Sequence, residues 1–262
     1  MNAHAATSMF PLSNLARHGM NGGHPRACNF YMRRIGGEIT DVLTVSEEGV
    51  LFPQCPNGFD DVAKVFQGKT VKALLGDADQ VAALRKILGL NHAAQLDTVE
   101  PAYSMDLADL IVPPHDFTLR PLQDVPIDTL IRWRAGYNVE SLDVLSDQAV
   151  ARAESDIASY IDHNSHRSLW DQGRPVGMTG FNAVLPNIVQ IGGVYIPPDL
   201  RNRGCGRTAV ALHLLEAASE GVTQSVLFAA NAAAERAYQA IGFKPNGRFS
   251  IAFYDAPQVI HV

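Results

Sequence analysis

The chain has 262 residues, of which 47% are hydrophobic and 18% charged, and its formal net charge is −6 at pH 7. This composition is typical of a globular protein with a sizeable core, and the acidic balance argues against a nonspecific nucleic-acid binder. No apolar run approaches the ~20 residues of a membrane-spanning helix. The cysteines, Cys28, Cys55 and Cys205, form no CxxC pair, and no HxxxH or HExxH motif is present. We therefore expect no metal, nucleic-acid or membrane partner.

The N-terminal residues carry no basic stretch followed by an apolar core, so we expect no signal peptide. Because the cysteines also form no disulfide framework, the sequence favours a cytoplasmic protein. It gives no indication of the oligomeric state.

The first half of the chain alternates between strand and helix patterns. A short helix is predicted at residues 9–19, and a strand meander at 29–53 turns at Gly36-Gly37 and Glu48-Gly49. The patterns that follow are a helix, a strand, a helix and a strand, at residues 58–68, 70–76, 77–90 and 100–110. Two prolines make residues 111–116 (IVPPHD) the best linker candidate.

The second half has the order β-α-α-β-β-β-α-β-α-β, which predicts a mixed α/β domain. Its predicted elements are strand 117–122, helices 127–142 and 147–164, strands within 168–196, a helix to about residue 220, strand 225–231, helix 233–242 and strand 248–255. We therefore predict two domains, residues 1–112 and residues 113–262, with no sequence repeat between them.

A loop rich in glycine and arginine separates the strand that ends at Ile196 from the next helix, in residues 196–210 (IPPDLRNRGCGRTAV). A helix N-terminus offers free N–H groups and a partial positive charge, and Gly204 and Gly206 let the main chain approach an anion. The loop also carries positive charge that suits a polyphosphate, on Arg201, Arg203 and Arg207. The sequence therefore predicts a phosphate site at the end of this strand.

Two familiar phosphate loops fit less well. A P-loop requires a lysine after its last glycine, and none follows Gly206. The Rossmann pattern GxGxxG/A is met in its letters, but residues 197–203 separate the strand from the first glycine. The following strand also ends without the acidic residue that would hold a ribose.

The loop instead resembles a motif of the GNAT (GCN5-related N-acetyltransferase) superfamily, [Q/R]-x-x-G-x-[G/A] after a strand that often ends V-x-P-x-x-R. Residues 201–206 (RNRGCG) match every fixed position. A second family motif, N-x-x-A-x-x-x-Y-x-x-x-G-F, is matched by Asn231, Ala234, Tyr238, Gly242 and Phe243. The resemblance covers about residues 115–255 and implies the α/β, mixed-sheet fold of the acyl-CoA N-acyltransferases.

A weaker resemblance covers the whole chain. Segments such as MFPLSNL, LFPQCP and GDADQVAALRKILGL are similar to a bacterial group in which a degenerate GNAT-like half precedes an intact one. This implies a tandem in which residues 1–112 are degenerate. The first half lacks the R-x-x-G-x-G loop. Residues 74–81 (LLGDADQV) stand where that loop would be, and Asp77 and Asp79 would repel phosphate.

The resemblance implies an N-acetyltransferase that moves an acetyl group from acetyl-CoA to a primary amine by direct attack. The implied co-substrate contacts are Val194, Tyr195, Ile196, Arg201, Asn202, Arg203, Gly204, Cys205, Gly206, Arg207, Thr208, Asn231, Ala234 and Tyr238. Residues 194–196 would pair with the pantetheine amides, at a strand edge that Pro197 and Pro198 leave free. Asn231 would hydrogen-bond the pantetheine arm.

Tyr238 stands at the family's usual general-acid position, and an unperturbed phenol, with a pKa of ~10, is protonated at neutral pH. The general base is less evident, because the strand before the loop carries Gln190 and no carboxylate. A water chain or a residue of the first helices must therefore serve. Glu140 is the first candidate, on a predicted helix face that it shares with Arg134 and Tyr137.

Several other residues receive no catalytic role. His163 and His166 are expected at the surface or in loops, and Cys205 is expected to be a bystander, although an exposed thiol there could be acylated. Gly192 and Gly193 are small enough to leave room for a longer acyl-CoA.

The alternative function is a non-catalytic acyl-CoA-binding sensor or scaffold, for which the missing strand carboxylate is the evidence. For an enzyme, the sequence leaves lysine side chains, protein N-termini, amino acids, polyamines and aminoglycosides open as acceptors.

Overall fold

The computed structural model describes residues 2–261, which form two compact units. The first unit comprises the residues up to Pro101 and those from Gly247 on, and the second comprises Ala102–Asn246. Residues 111–116 have no regular structure, as the linker prediction requires, but they lie inside the second unit. The domain boundary that we predict after residue 112 therefore stays a prediction.

The first unit is built on a mixed sheet with strand order β1-β2-β3-β4-β11. Its elements are α1 (Met9–His18), β1 (Cys28–Ile35), β2 (Glu38–Ser46), β3 (Val50–Gln54), α2 (Val62–Phe66), β4 (Thr70–Asp77), α3 (Ala78–Ile87) and most of β11 (Lys244–Val259). Neighbouring strands are antiparallel except β3 and β4, which are parallel. The meander turns at the predicted Gly36-Gly37 and Glu48-Gly49.

The second unit has the strand order β5-β10-β9-β8-β7-β6. Its elements are the end of β5 (Leu96–Asp106), β6 (Thr118–Pro121), α4 (Ile127–Leu142), α5 (Ser146–Asp162), β7 (His166–Asp171), β8 (Arg174–Leu185), β9 (Ile188–Tyr195), α6 (Cys205–Ser219), β10 (Gln224–Phe228) and α7 (Ala232–Gln239). Only β9 and β10 are parallel; the other neighbours are antiparallel. The predicted order of elements in this half is confirmed.

The two units share one strand plan, which supports the tandem. Each has antiparallel strands, then a parallel pair joined through a helix, then an antiparallel strand. The joining helix has 5 residues in α2 and 15 in α6, so the first unit is the reduced copy. In this plan β4 corresponds to β10. Residues 74–81 therefore correspond to the end of β10 and the start of α7, and not, as expected, to the loop before α6. There Asp77 caps α3, as Asn231 caps α7.

The last strand of each sheet comes from the other half of the sequence. Ala102–Asp106 of β5 pair with β10 in the second unit, and Phe249–Val259 of β11 pair with β4 in the first. The N-terminal half of the sequence thus supplies a strand to the C-terminal sheet. Among residues 2–261, no helix is long and apolar enough to cross a bilayer.

The two faces of the second sheet are covered by different helices. Trp170 of β7 packs in one buried cluster with Leu130 and Trp133 of α4, whereas Leu169 packs with Ala209 of α6. Because side chains alternate along a strand, the even-numbered residues of β7 face α4 and α5. His166 is therefore on the α4 and α5 side.

Candidate active site

A cavity of about 780 Å³ opens in the second unit at the carboxyl end of β9. It is lined by Tyr137, Glu140, Ser141, Val194, Tyr195, Ile196, Leu200, Arg201, Asn202, Arg203, Gly204, Cys205, Gly206, Arg207, Asn231, Ala233, Ala234, Arg236, Ala237 and Tyr238. The end of a strand, the loop after it and three helices thus meet around one space. All predicted site residues except Thr208 line it.

The cavity exists because β9 and β10 separate. These two strands are paired only as far as Gln190 and Val226, whereas β9 stays paired with β8 as far as Tyr195. A bulge with Gly193 at φ 63° lies in the unpaired stretch. The edge is thus open well before Pro197, and the expectation that the prolines free it is wrong. The divergence of the strands frees it.

The first turn of α6 forms the floor of the anion site predicted from the loop. Gly204 precedes the helix with φ 81° and ψ −4°, a left-handed conformation that glycine adopts without strain. The main-chain N–H groups of the first turn have no partner within an α-helix and carry its positive dipole. The hydroxyl of Thr208 donates to the Gly204 carbonyl oxygen at 3.0 Å, which turns Thr208 away from the cavity.

The arginines around the first turn of α6 differ in whether an acidic side chain compensates their charge. Arg201 donates from Nε to the Ile196 carbonyl oxygen at 2.9 Å and from Nη2 to Glu140 Oε2 at 2.6 Å. Its charge is therefore compensated. No ion pair within residues 2–261 compensates the other arginines that line the cavity, Arg203, Arg207 and Arg236. The local positive charge suits a polyphosphate although the chain as a whole is acidic.

Helix α4 forms a second wall. Glu140 uses both carboxylate oxygens: Oε2 accepts from Arg201, and Oε1 accepts from the Tyr195 hydroxyl at 3.3 Å. Burial and the nearby Glu140 carboxylate raise the pKa of Tyr195. Tyr137 also lines the cavity, whereas Arg134 is buried behind it and pairs with Asp156 at 2.7 Å.

Helix α7 forms the third wall. The Asn231 side chain accepts from the main-chain N–H groups of Ala233 and Ala234 at 3.1 and 3.0 Å, so it caps the helix. One helical turn further on, Tyr238 lines the cavity, and its ring packs edge-on against Phe243 with centroids 6.1 Å apart. The helix holds its predicted residues on the cavity side.

The structure adds lining residues that the motifs do not mark. Arg236 and Ala237 share the cavity with the predicted Ala234 and Tyr238. The spacing of three and four residues along a helix would have indicated Ala237, but the charge of Arg236 carried no such signal.

Cys205 lies in the lining but is only 5% exposed, and burial raises the pKa of its thiol. The exposed, acylatable thiol considered from the sequence is therefore not found.

Polar side chains from β8 and β7 occupy the space beside the two glycines of β9. Asn182 of β8 occupies the space where a Gly192 side chain would lie, and His166 of β7 does the same at Gly193. The room expected there for a longer acyl chain is filled on this face. The surface expectation is right for His163 and wrong for His166, which is 1% exposed because its strand lies inside the sheet.

Among residues 2–261, no group of three or more His, Cys, Asp or Glu side chains is placed to hold a metal ion. The cavity instead combines a helix N-terminus, uncompensated arginines and an open strand edge. Such a set fits a phosphate-bearing ligand with an extended amide arm.

Comparisons of structure agree with this architecture. An acetyltransferase of the GNAT family from Colwellia psychrerythraea has a TM-score of 0.53 at 12% identity, covering 92% of this chain and 89% of its own. A GCN5-related N-acetyltransferase from Kribbella flavida has a TM-score of 0.55 at 16% identity, covering 94% and 93%. A Drosophila protein has a TM-score of 0.60 at 14% identity, covering 96% and 92%. The fold is that of the acyl-CoA N-acyltransferases.

The sequence of residues 128–243 matches the acetyltransferase (GNAT) family model. This part of the second unit is thus a domain of the GNAT superfamily. The family is one of acetyltransferases that use acyl-CoA as co-substrate. A search of curated protein sequences finds no match.

Proposed function

We propose that the protein transfers an acetyl group from acetyl-CoA to a primary amine by direct attack in the second unit. The observation that carries this proposal is the cavity where β9 parts from β10, with the α6 N-terminus on one side and Tyr238 on the other. The main chain of residues 202–207 would bind the pyrophosphate, and the open edge at residues 194–196 would pair with the pantetheine amides.

The chemical step has a defined balance of bonds and protons. The amine nitrogen attacks the thioester carbonyl carbon, and the carbon–sulfur bond breaks. Tyr238 would then give its proton to the departing CoA thiolate, since a phenol is protonated at neutral pH, and would regain a proton from the nitrogen, which sheds one as the amide forms. The burial of Cys205 and its raised thiol pKa argue against an acyl-cysteine intermediate and favour direct attack.

The role of the general base was predicted for Glu140. In this geometry its oxygens already accept from Arg201 and Tyr195. Glu140 would therefore have to release Arg201 before it could take a proton from the amine. That Glu140 is the general base stays a prediction. Its contacts with Arg201 and Tyr195 equally support a role in positioning these two side chains.

Replacing Tyr238 with phenylalanine tests the chemistry. The variant should lower kcat by roughly 10²-fold and leave the acetyl-CoA dissociation constant unchanged, because the proton donor is lost and the binding surface is kept. Release of CoA thiol is measured with a panel of lysine peptides, amino acids, polyamines and aminoglycosides.

The matched control is Tyr103→Phe. Tyr103 donates to Glu235 of α7 at 2.6 Å but does not line the cavity. This variant measures the change in kcat that results when α7 loses a hydrogen bond while Tyr238 is unchanged. An unchanged kcat in Tyr238→Phe would remove Tyr238 from the mechanism. An unmodified protein that binds acetyl-CoA and acetylates no amine in the panel would favour the alternative, an acyl-CoA-binding sensor or scaffold.

A further inference from the structure

The buried His166 lies against the strand that would align the acyl group. A Cβ atom added to Gly193 would come within 2.6 Å of His166 Nε2, and one added to Gly180 would overlap its ring. Glycines at these two positions let the imidazole lie on the bulge of β9. Gly193 directly precedes Val194, which lines the cavity. A titratable nitrogen is thus supplied to this bulge from β7, although β9 itself has none.

The two ring nitrogens of His166 have different surroundings. Nδ1 lies 2.9 Å from the hydroxyl oxygen of Ser165, a half-buried residue. Nε2 is buried and has no hydrogen-bond partner within the described residues. An unpaired buried polar atom destabilises the fold, and bound water commonly satisfies such groups. The unpaired Nε2 therefore indicates a water position at the bulge.

The helices over His166 supply further polar groups. The ring of Tyr160 from α5 stacks on the imidazole at 3.5 Å, and Arg134 of α4 lies 5.2 Å from the Tyr160 ring. Asn138, one turn after Arg134, is fully buried, and neither its amide nitrogen nor its oxygen has a partner in the described part of the chain. Buried polar groups of this kind are normally paired, so α4 carries a second buried side chain whose polar atoms a water could satisfy.

His166 is neutral in this setting. Burial, followed by electrostatic interactions with His213 of α6, Arg134 of α4 and Arg167 of its own strand, lowers its pKa well below the ordinary value. If Nδ1 carries the hydrogen and donates to Ser165, Nε2 keeps a lone pair directed at the bulge.

We propose that His166 relays the proton of the acceptor amine to solvent, a role that rests on the proposed acetyl transfer. The ammonium form of the acceptor loses a proton to a bridging water, which gives a proton to Nε2, and the neutral nitrogen then bonds to the acyl carbon. The imidazolium then releases its Nδ1 proton to Ser165, whose hydroxyl passes a proton to solvent. Exchange with water restores the starting tautomer between turnovers.

The test measures kcat/KM for the best amine of the panel from about pH 6 to about pH 10, at saturating acetyl-CoA, in His166→Phe. Phenylalanine keeps the ring stacked on Tyr160 and removes both nitrogens. The loss should be roughly 10²-fold at neutral pH and should shrink toward pH 10, where a growing share of an alkylamine with a pKa of about 10.4 is already neutral in solution. Calorimetry should show an unchanged acetyl-CoA dissociation constant.

The matched control is His213→Phe, since His213 is also a buried histidine and its ring stacks on Phe181 at 3.8 Å. It should show no pH-dependent loss. Ser165→Ala, a small change at a half-buried position, should show a weaker form of the same pH dependence, and it serves if His166→Phe does not fold.

A loss that is equal at all pH values, or no loss in either variant, would overturn the relay. A crystal structure with no water within hydrogen-bond distance of Nε2 would overturn it as well. If the unmodified protein acetylates no amine, the proposed function fails first and the relay fails with it. Full turnover in the unmodified protein and in His166→Phe refutes the relay alone.

Discussion

Replacing Gly204 with alanine tests why the phosphate loop needs its first glycine. Gly204 has φ 81°, and a Cβ atom there would lie 3.4 Å from the Arg207 guanidinium. A left-handed conformation costs an ordinary residue about 1–2 kcal/mol. If the loop keeps its shape, the free energy of unfolding falls by that amount. If the loop relaxes, the same amount weakens acetyl-CoA binding by about 5- to 30-fold, since each 1.4 kcal/mol is a factor of ten.

The assay therefore measures two quantities on each variant: the free energy of unfolding in urea and the acetyl-CoA dissociation constant by calorimetry. The matched control is Gly206→Ala. Gly206 does not have a positive φ, and its added Cβ would meet only Ile196 Cγ1, at 3.6 Å. Because Gly206 is already helical, alanine should stabilise the fold by up to about 1 kcal/mol and change the dissociation constant by less than about threefold.

The loss of unfolding free energy and the loss of binding free energy, added together, should thus be larger for Gly204→Ala than for Gly206→Ala. Equal or greater losses of stability and affinity in Gly206→Ala would show that the left-handed conformation of Gly204 is not the reason for the glycine. Steric contact between the added methyl group and the bound phosphate would then explain the losses. Gly204→Glu adds negative charge to the same position and should abolish acetyl-CoA binding. Binding that survives this change would remove the loop from the cofactor site.

Two further predictions concern ion pairs. Glu140→Gln should raise the acetyl-CoA dissociation constant by less than about tenfold and leave the pH dependence of kcat unchanged, because the pair with Arg201 is half exposed; a loss of roughly 10²-fold in kcat with a changed pH profile would instead identify the general base. In the first unit, the hydrogen bond from Arg85 lowers the pKa of Asp97. A lowered folded-state pKa stabilises the fold above the ordinary Asp pKa, and this stability is lost as pH falls through the folded value. Asp97→Asn should therefore cost about 1 kcal/mol of unfolding free energy in urea at pH 7 and progressively less as the pH falls below the ordinary Asp pKa, and a cost that does not change with pH would contradict the assignment.

The sequence predicts the site where the determinants are local. The loop at residues 201–206 and the segment from Asn231 to Tyr238 each combine a helix start with residues at helical spacing. Backbone conformation and helix capping depend on near neighbours, so both segments could be recognised from short patterns. The order of elements in the second unit followed from the same kind of local signal.

The contacts that depend on strand pairing could not be predicted. Glu140 and Arg201 are 61 residues apart and meet only because α4 passes the end of β9. His166 reaches Gly193 only because β8, which lies between their strands, carries a glycine at position 180. Position along the chain contains no information about which strands are neighbours. For this reason, the search for a polar group on β9 itself overlooked one supplied from β7.

The most direct test of the account is a calorimetric titration of the unmodified protein with acetyl-CoA, with CoA and NAD as comparison ligands. We expect micromolar binding of both CoA species and none of NAD, because the open strand edge and the α6 N-terminus suit the pantetheine arm and its pyrophosphate together. Failure of both CoA species to bind would contradict it and would mean that the cavity at the end of β9 is not a cofactor site.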